Sequence, residues 1–193
     1  MYTGIPVVLA SQSPRRKQLL EQAGIPFRVK VADTAETFPP GMAIPDIPVH
    51  IARQKAAAVR HLCLPADIII AADTVVVLDD TIIGKPKDRQ DAIDILSRLS
   101  GREHRVVTGV IIQQQAKEKE VAFSKITSVH FKPLTQSQII FYVDNYQPFD
   151  KAGAYAIQEW IGAVGIDSIN GCFYNVMGLP VSRVVEELAA FDR

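Results

Sequence analysis

Residues 67–78 read DIIIAADTVVVL, a nearly continuous β-branched and apolar run that reads as a central strand. The polar pair Asp73-Thr74 interrupts it, and is expected to mark a strand end or bulge that opens toward a cleft. Upstream, Val49, Ala52, Ala56 and Val59 recur at helical spacing, so a helix to about Leu62 precedes the strand. Before it, the Pro-, Gly- and acid-rich stretch 33–48 reads as a loop, and Phe27 to Val31 as a strand. Val7 to Ala10 is another short buried strand. Ser13-Pro14 follows as a cap and first turn. Leu19, Leu20 and Ala23 give the ensuing helix an apolar side, and Gly24 stops it.

Downstream of the central run, Asp79-Asp80 signals a turn, and Gly84-Lys85-Pro86 closes the short segment after it. Asp88 to Leu99 is a helix ended by Gly101. Arg105 to Gln114 and Val121 to Phe131 form a hairpin across the charged turn 116–120, and Thr135 to Val143 is a helix capped by Thr135 and Gln138. Residues 153–178 are Gly-rich with short β-like segments. Leu179 to Phe191 is an amphipathic helix with Val181, Val184, Val185 and Leu188 facing inward. Strands and helices alternate without a fixed-period repeat or linker, which gives an α/β class and one domain over 1–193.

The 193 residues are 48% apolar and 22% charged, ordinary for a globular chain. Lys and Arg total 21 and Asp and Glu total 21, so no basic excess favours a stable nucleic-acid partner. Any polyanion would need a local cluster of cations. Cys63 and Cys172 are too few for a disulfide framework or a zinc cluster and are expected as two buried thiols. The four histidines lack metal-ligand spacing. The N-terminus has no signal-peptide pattern and no apolar run is long enough to span a bilayer, so a soluble intracellular protein is expected.

Several constellations suit chemistry on phosphates. Ser11-x-Ser13-Pro14-Arg15-Arg16-Lys17 places three cations at a helix start, against the helix dipole, a conflict that a bound anion relieves. Serine hydroxyls, helix-terminal N–H groups and guanidinium donors together make a phosphate cradle, and the alternative is a solvated basic turn. Asp73 is costly in an apolar strand unless paired, hydrogen-bonded or metal-bound, and it could ligate Mg²⁺ or Mn²⁺ or orient water; otherwise it caps a turn. Glu36, in the acidic loop, would complete an oxygen-rich site with Asp73. Lys85 on its rigid tripeptide and Lys55 among small neighbours could neutralise phosphate, or could simply be solvated. Gln158 could read a base edge, and Tyr155, Trp160, Phe173 and Tyr174 could stack on a base or belong to the core.

Taken in order, Leu9-Ala10-Ser11-Gln12-Ser13-Pro14-Arg15-Arg16, Ala72-Asp73-Thr74, Gly84-Lys85-Pro86, Thr108-Gly109-Val110, Lys151-Ala152-Gly153-Ala154-Tyr155 with Ile157-Gln158, and Tyr174 to Pro180 resemble the Maf family of nucleotide pyrophosphatases. The resemblance implies a central mixed, elongated sheet flanked by helices, with two lobes around an active-site cleft. It implies metal-dependent hydrolysis of a nucleoside triphosphate to the monophosphate and pyrophosphate, in the cytoplasm and often as a homodimer. The positions matching Asp73 (catalytic base), Arg15, Thr74 and Gln158 (substrate selection), and Ser11, Arg16, Glu36, Lys55 and Lys85 (site lining) carry over residue by residue. Tyr155, Gln158 and Tyr174-Asn175 look like the subgroup that acts on dTTP and UTP. The departures are Glu159-Trp160, where relatives commonly have glycine after the glutamine, and Phe173 in place of a frequent tyrosine. Both bear on the preferred base rather than on the cleavage. The expected mechanism holds Mg²⁺ or Mn²⁺ on Asp73 and Glu36, neutralises phosphate with Arg15, Arg16, Lys55 and Lys85, and activates water at Asp73. Alternatives are a pyrophosphatase for 7-methyl-GTP or a modified nucleotide, and a non-catalytic nucleotide-binding regulator of division.

Overall fold

The computed structural model describes residues 4–191 of the chain. In order, the main elements are β1 (Val7–Leu9), α1 (Pro14–Gln22), β2 (Phe27–Val29), α2 (Ile47–Val59), β3 (Ile68–Leu78), β4 (Thr81–Ile83), α3 (Arg89–Leu99), β5 (Glu103–Gln114), β6 (Lys119–Phe131), α4 (Gln136–Tyr146), α5 (Trp160–Gly165), β7 (Ile166–Asn170), α6 (Phe173–Met177) and α7 (Val181–Ala189). Among the described residues the strands form a seven-stranded sheet in the order β2-β1-β3-β5-β6-β7, with β4 beside β3. β1 runs parallel to β2 and β3, whereas β4 is antiparallel to β3 and β7 antiparallel to β6. The sheet is therefore mixed and flanked by helices, an α/β architecture.

Local chemistry explains most boundaries. The Ser13 side chain accepts from the Arg16 N–H at 3.4 Å and Pro14 opens α1. Thr135 and Gln138 form a complete capping box on α4. Asp79 and Asp80 take positive φ values of 47° and 59°, the backbone of a tight hairpin turn that sets Leu78 opposite Thr81.

The chain divides into two compact units, one of residues 4–73, 108–125 and 178–191, the other of 74–107 and 126–177. In the first, Ala52, Ala56 and Val59 of α2 pack against Val8, Ala10, Ile69, Ala71 and Ile111 of the strands. The approach is close: a Cβ on Gly109 would lie 2.2 Å from the Val49 nitrogen and 2.3 Å from the Pro48 carbonyl carbon. Glycine at 109 is thus what lets the start of α2 rest on β5. In the second unit, His104, Phe131 and Tyr155 pack edge-to-face at centroid distances of 5.0–5.4 Å. The His104 Nε2 and Tyr155 hydroxyl lie 2.7 Å apart in a hydrogen bond.

Several expectations are corrected. β3 runs unbroken through Asp73-Thr74, because partners on both halves of the strand, β1 at residues 68–70 and β4 at 76–78, hold it extended. The Gly-rich region 153–178 folds mainly into short helices, with β7 as its one strand among the described residues. Its glycines serve tight approaches: a Cβ on Gly162 would sit 1.7 Å from the Ile157 carbonyl oxygen. Val184 and Leu188 of α7 are buried, but Val185 is 40% exposed, since adjacent helix positions diverge by about 100°. Ala23 is exposed, and Tyr155 is a core residue. Cys63 and Cys172 are unpaired thiols, half-buried rather than buried. No helix among the described residues is long and apolar enough to cross a membrane.

Two measurements test these packing statements. Gly109→Ala should cost about 3 kcal/mol or more in urea unfolding, because the neighbours are backbone atoms that cannot move aside. The second concerns His104, whose burial, reinforced by nearby His130, pushes its pKa down from 6.5 to about 4. The unfolded chain takes up this proton first as pH falls. Stability contributed by neutral His104 is therefore present above pH 6.5 and lost between pH 6.5 and 4, on the order of 3 kcal/mol in all. In denaturation midpoints measured across that window, His104→Gln should flatten the wild-type slope.

Candidate active site

The turn from β1 into α1 does not display its cations evenly. Arg15 and Lys17 are half-buried, whereas Arg16 is buried and turned into the first unit. Its Nε donates to the Gly178 carbonyl at 2.8 Å and its Nη1 to Ser11 Oγ at 3.2 Å. Ser11 Oγ also accepts from the Ser13 N–H at 3.2 Å. One guanidinium thus ties the first motif of the sequence to the Gly178-Leu179-Pro180 motif near its other end. Burial lowers the Arg16 pKa, and the opposing attraction of Asp73 and Glu36 offsets part of that effect while Arg15 adds to it. An arginine keeps its charge under such a shift, so the site holds a fixed, buried cation.

Beside it lies a charge cluster built by α2 and β3. Lys55 Nζ donates to Asp73 Oδ1 at 2.6 Å and pairs with Glu36 Oε1 at 2.9 Å. The Lys55 and Asp73 side chains are 16% and 13% exposed. The two carboxylate oxygens are therefore no further apart than those two bonds laid end to end. Small neighbours make this possible: Ala52 and Ala56 let α2 settle onto the sheet, so the lysine one residue before Ala56 reaches the middle of β3. Asp73 can be tolerated in an apolar strand because this ammonium compensates it.

Glu36 is held in the left-handed region, φ 48°, which costs a non-glycine residue about 1–2 kcal/mol. Contacts at and beside it help keep it there. Lys55 grips its carboxylate, and the Gln54 amide donates to the Thr37 carbonyl at 2.8 Å. Gln54 was not singled out in the sequence; its only signal is adjacency to Lys55. The Gly178 carbonyl was equally invisible, being backbone.

The first unit therefore brings together Ser11, Arg16, Glu36, Lys55 and Asp73. The second carries Thr74, which follows Asp73 directly and is half-buried, Lys85, exposed after β4, and Gln158, exposed at a turn. The Gly84-Lys85-Pro86 segment is anchored within that unit, since the Gly84 carbonyl accepts from the Gly153 N–H at 3.0 Å. Among the aromatic candidates, Trp160 packs on Phe141 at 4.9 Å, while Phe173 and Tyr174 are 38% and 45% exposed.

No group of three or more His, Cys, Asp or Glu residues that could hold a metal occurs among the described residues. The hard donors the charge cluster offers are Asp73 and Glu36, two carboxylates brought together on the Lys55 ammonium. That fits Mg²⁺ or Mn²⁺, which need only one or two protein carboxylates when phosphate oxygens and water fill the remaining positions. It does not fit a softer, fully protein-coordinated ion.

Comparison with known proteins shows what the chain is similar to. The family model described as Maf-like protein matches residues 6–191. A protein of Cytophaga hutchinsonii named dTTP/UTP pyrophosphatase is 50% identical over 182 residues, covering 94% of this chain and 82% of that one. Proteins of the same name from Bacteroides fragilis and Porphyromonas gingivalis are 46% and 47% identical, covering 94% and 96% of this chain and 94% of each relative. Among solved structures, a HAM1 protein from Coxiella burnetii superposes with a TM-score of 0.52 at 16% identity, over 97% of this chain and 100% of that one. At that identity the likeness concerns the fold alone.

The Lys55–Asp73 pair is testable without substrate. A double-mutant cycle of Lys55→Met and Asp73→Asn should give a coupling energy of about 1–3 kcal/mol in equilibrium unfolding: Lys55→Met strips both carboxylates of their ammonium, whereas Asp73→Asn leaves Lys55 paired with Glu36 alone. A coupling below ~0.3 kcal/mol would mean the pair is a solvated contact.

Proposed function

Because the chain belongs to the Maf family, we propose that it hydrolyses dTTP and UTP to the nucleoside monophosphate and pyrophosphate, removing or sanitising nucleotides. The observation that carries the reading is the Asp73–Lys55–Glu36 cluster beside the buried Arg16–Ser11 pair. Two cations and two carboxylates balance in formal charge before substrate arrives. A triphosphate adds several negative charges, so the site needs further positive charge. Arg15 and Lys85 are assigned to that task along with a divalent cation on Asp73 and Glu36. When bound, the cation supplies Lewis-acid polarisation of the phosphate oxygens.

Each residue then has a role. Arg16, fixed by Gly178 and Ser11, presents a preorganised guanidinium that needs no reorganisation as phosphate charge shifts in the transition state. Lys55 neutralises the carboxylates in the free enzyme and the triphosphate in the complex. Asp73 is the catalytic base: it orients a water and accepts its proton as the water oxygen bonds to the α-phosphorus. The α–β anhydride bond breaks, and its electron pair leaves with pyrophosphate. Arg15, Thr74 and Gln158 are assigned to substrate selection. The proposed setting is the cytoplasm, where two unpaired thiols stay reduced. The family resemblance adds a homodimer to the proposal.

A panel of triphosphates (dTTP, UTP, CTP, dATP, GTP and 7-methyl-GTP) with pyrophosphate detection decides the reading. dTTP and UTP should lead in kcat/KM. Asp73→Asn should lower kcat by about 100-fold or more with Mg²⁺ or Mn²⁺ saturating. Full turnover in that variant would remove Asp73 from the chemistry. Preference for 7-methyl-GTP would reassign the substrate, and dTTP binding without pyrophosphate release would make the protein a nucleotide-binding regulator.

A further inference from the structure

We infer that Glu159 is a specificity-determining positioning residue, whose carboxylate locks the turn that presents Gln158 and so sets the discrimination between uracil-type and cytosine-type bases. The inference rests on the proposed role of Gln158 in base selection.

The geometry lies wholly within the second unit. Residues 153–157 are buried, and Gln158 is the first exposed side chain after them. The turn is closed by the Glu159 N–H donating to the Ala156 carbonyl at 3.1 Å. Behind it stands the hydroxyl of Tyr142, a fully buried residue of α4. That hydroxyl accepts from the Ala156 N–H at 3.1 Å and donates its own hydrogen to Glu159 Oε2. Glu159 Oε1 lies 3.6 Å from Lys151 Nζ, which also donates to Asp150 Oδ1 at 2.8 Å. The Glu159 and Lys151 side chains are 22% and 10% exposed, so these are sheltered interactions. On the far side, the Glu159 carbonyl accepts from the Gly162 N–H at 2.9 Å, and Gly162 itself lies too close to the Ile157 carbonyl for any side chain.

Gln158 is thus held between two residues, Ala156 and Glu159, that are joined through one tyrosine hydroxyl. Glu159 reads no base itself. Without its carboxylate, the hydrogen bond from the Tyr142 hydroxyl to residue 159 and the Lys151 contact are both lost. The turn then relaxes, and Gln158 moves with it. An amide that reads a base edge depends on hydrogen bonds that weaken steeply with misalignment. UTP and CTP differ only at that edge, so their ratio reports the amide's placement, whereas contacts to sugar and triphosphate are common to both.

The test compares wild type, Glu159→Ala, Tyr142→Phe and Glu159→Gln on UTP and CTP. Glu159→Ala and Tyr142→Phe should raise KM for UTP about tenfold, with kcat within about twofold, and lower the UTP:CTP ratio of kcat/KM at least ~fivefold. Glu159→Gln keeps an oxygen acceptor for Tyr142 and should stay within about twofold of wild type. Trp160, the single tryptophan, follows Glu159 directly and gives a readout independent of activity. Its acrylamide quenching should rise in Glu159→Ala and not in Glu159→Gln. Unchanged Trp160 quenching in Glu159→Ala overturns the clamp. Altered quenching with an unchanged UTP:CTP ratio overturns its role in specificity. If wild type releases no pyrophosphate from UTP or dTTP, the proposed function and the specificity role fall together, while quenching alone decides whether the clamp exists.

Discussion

Asp73 stands in the middle of an eleven-residue strand made otherwise of Ile, Ala, Thr, Val and Leu, and a carboxylate there is costly unless a compensating partner reaches it. Lys55 is that partner, at 2.6 Å. The rest of the first unit is arranged so that it can arrive. α2 must lie flat and close on the sheet, which requires alanine at 52 and 56 on its inner face and no side chain at 109 beneath its first turn. The same lysine then gathers Glu36 from an irregular loop, against a backbone conformation that would otherwise be avoided. One compensated charge thereby links the packing of a helix to the placement of two carboxylates.

Arg16 solves a related problem at the neighbouring turn. Three cations at a helix start repel one another and oppose the helix dipole. Burying one of them on the Gly178 carbonyl and the Ser11 hydroxyl fixes a guanidinium that would otherwise sample many rotamers. Such fixation is what electrostatic catalysis on phosphate requires, because a donor already aimed need not reorganise during reaction. The second unit adds buried hydrogen bonds to its ion pairs for the same end. His104 and Tyr155 make a neutral buried pair, and Tyr142 bridges Ala156 and Glu159.

Much of this was legible in the residues. Caps at Ser13 and Thr135, the Asp79-Asp80 turn and the period of α2 are local signals, and local signals survive folding. Asp73 announced itself as a charge in an apolar run. The residues of 153–178 read as β-like yet fold into turns and short helices, because their glycines mark close approaches, such as Gly162 on Ile157, and a sequence does not show what approaches. Val185 was misread because a helix face is narrower than a run of apolar residues suggests.

The sequence by itself determined the order of elements outside residues 153–178, the α/β class and the set of residue types able to handle phosphate. Those follow from periodicity, capping chemistry and the energetic oddity of charges in apolar surroundings, all of which act over a few neighbouring residues. Only the tertiary structure decided which cations are used and how. Lys55 faces Asp73 rather than solvent, Arg16 rather than Arg15 or Lys17 is buried, and Glu159 turns back to Tyr142. The physical reason is that ion pairs and buried hydrogen bonds are contacts between residues far apart in the chain, and their strength depends on distances and burial that no local pattern records.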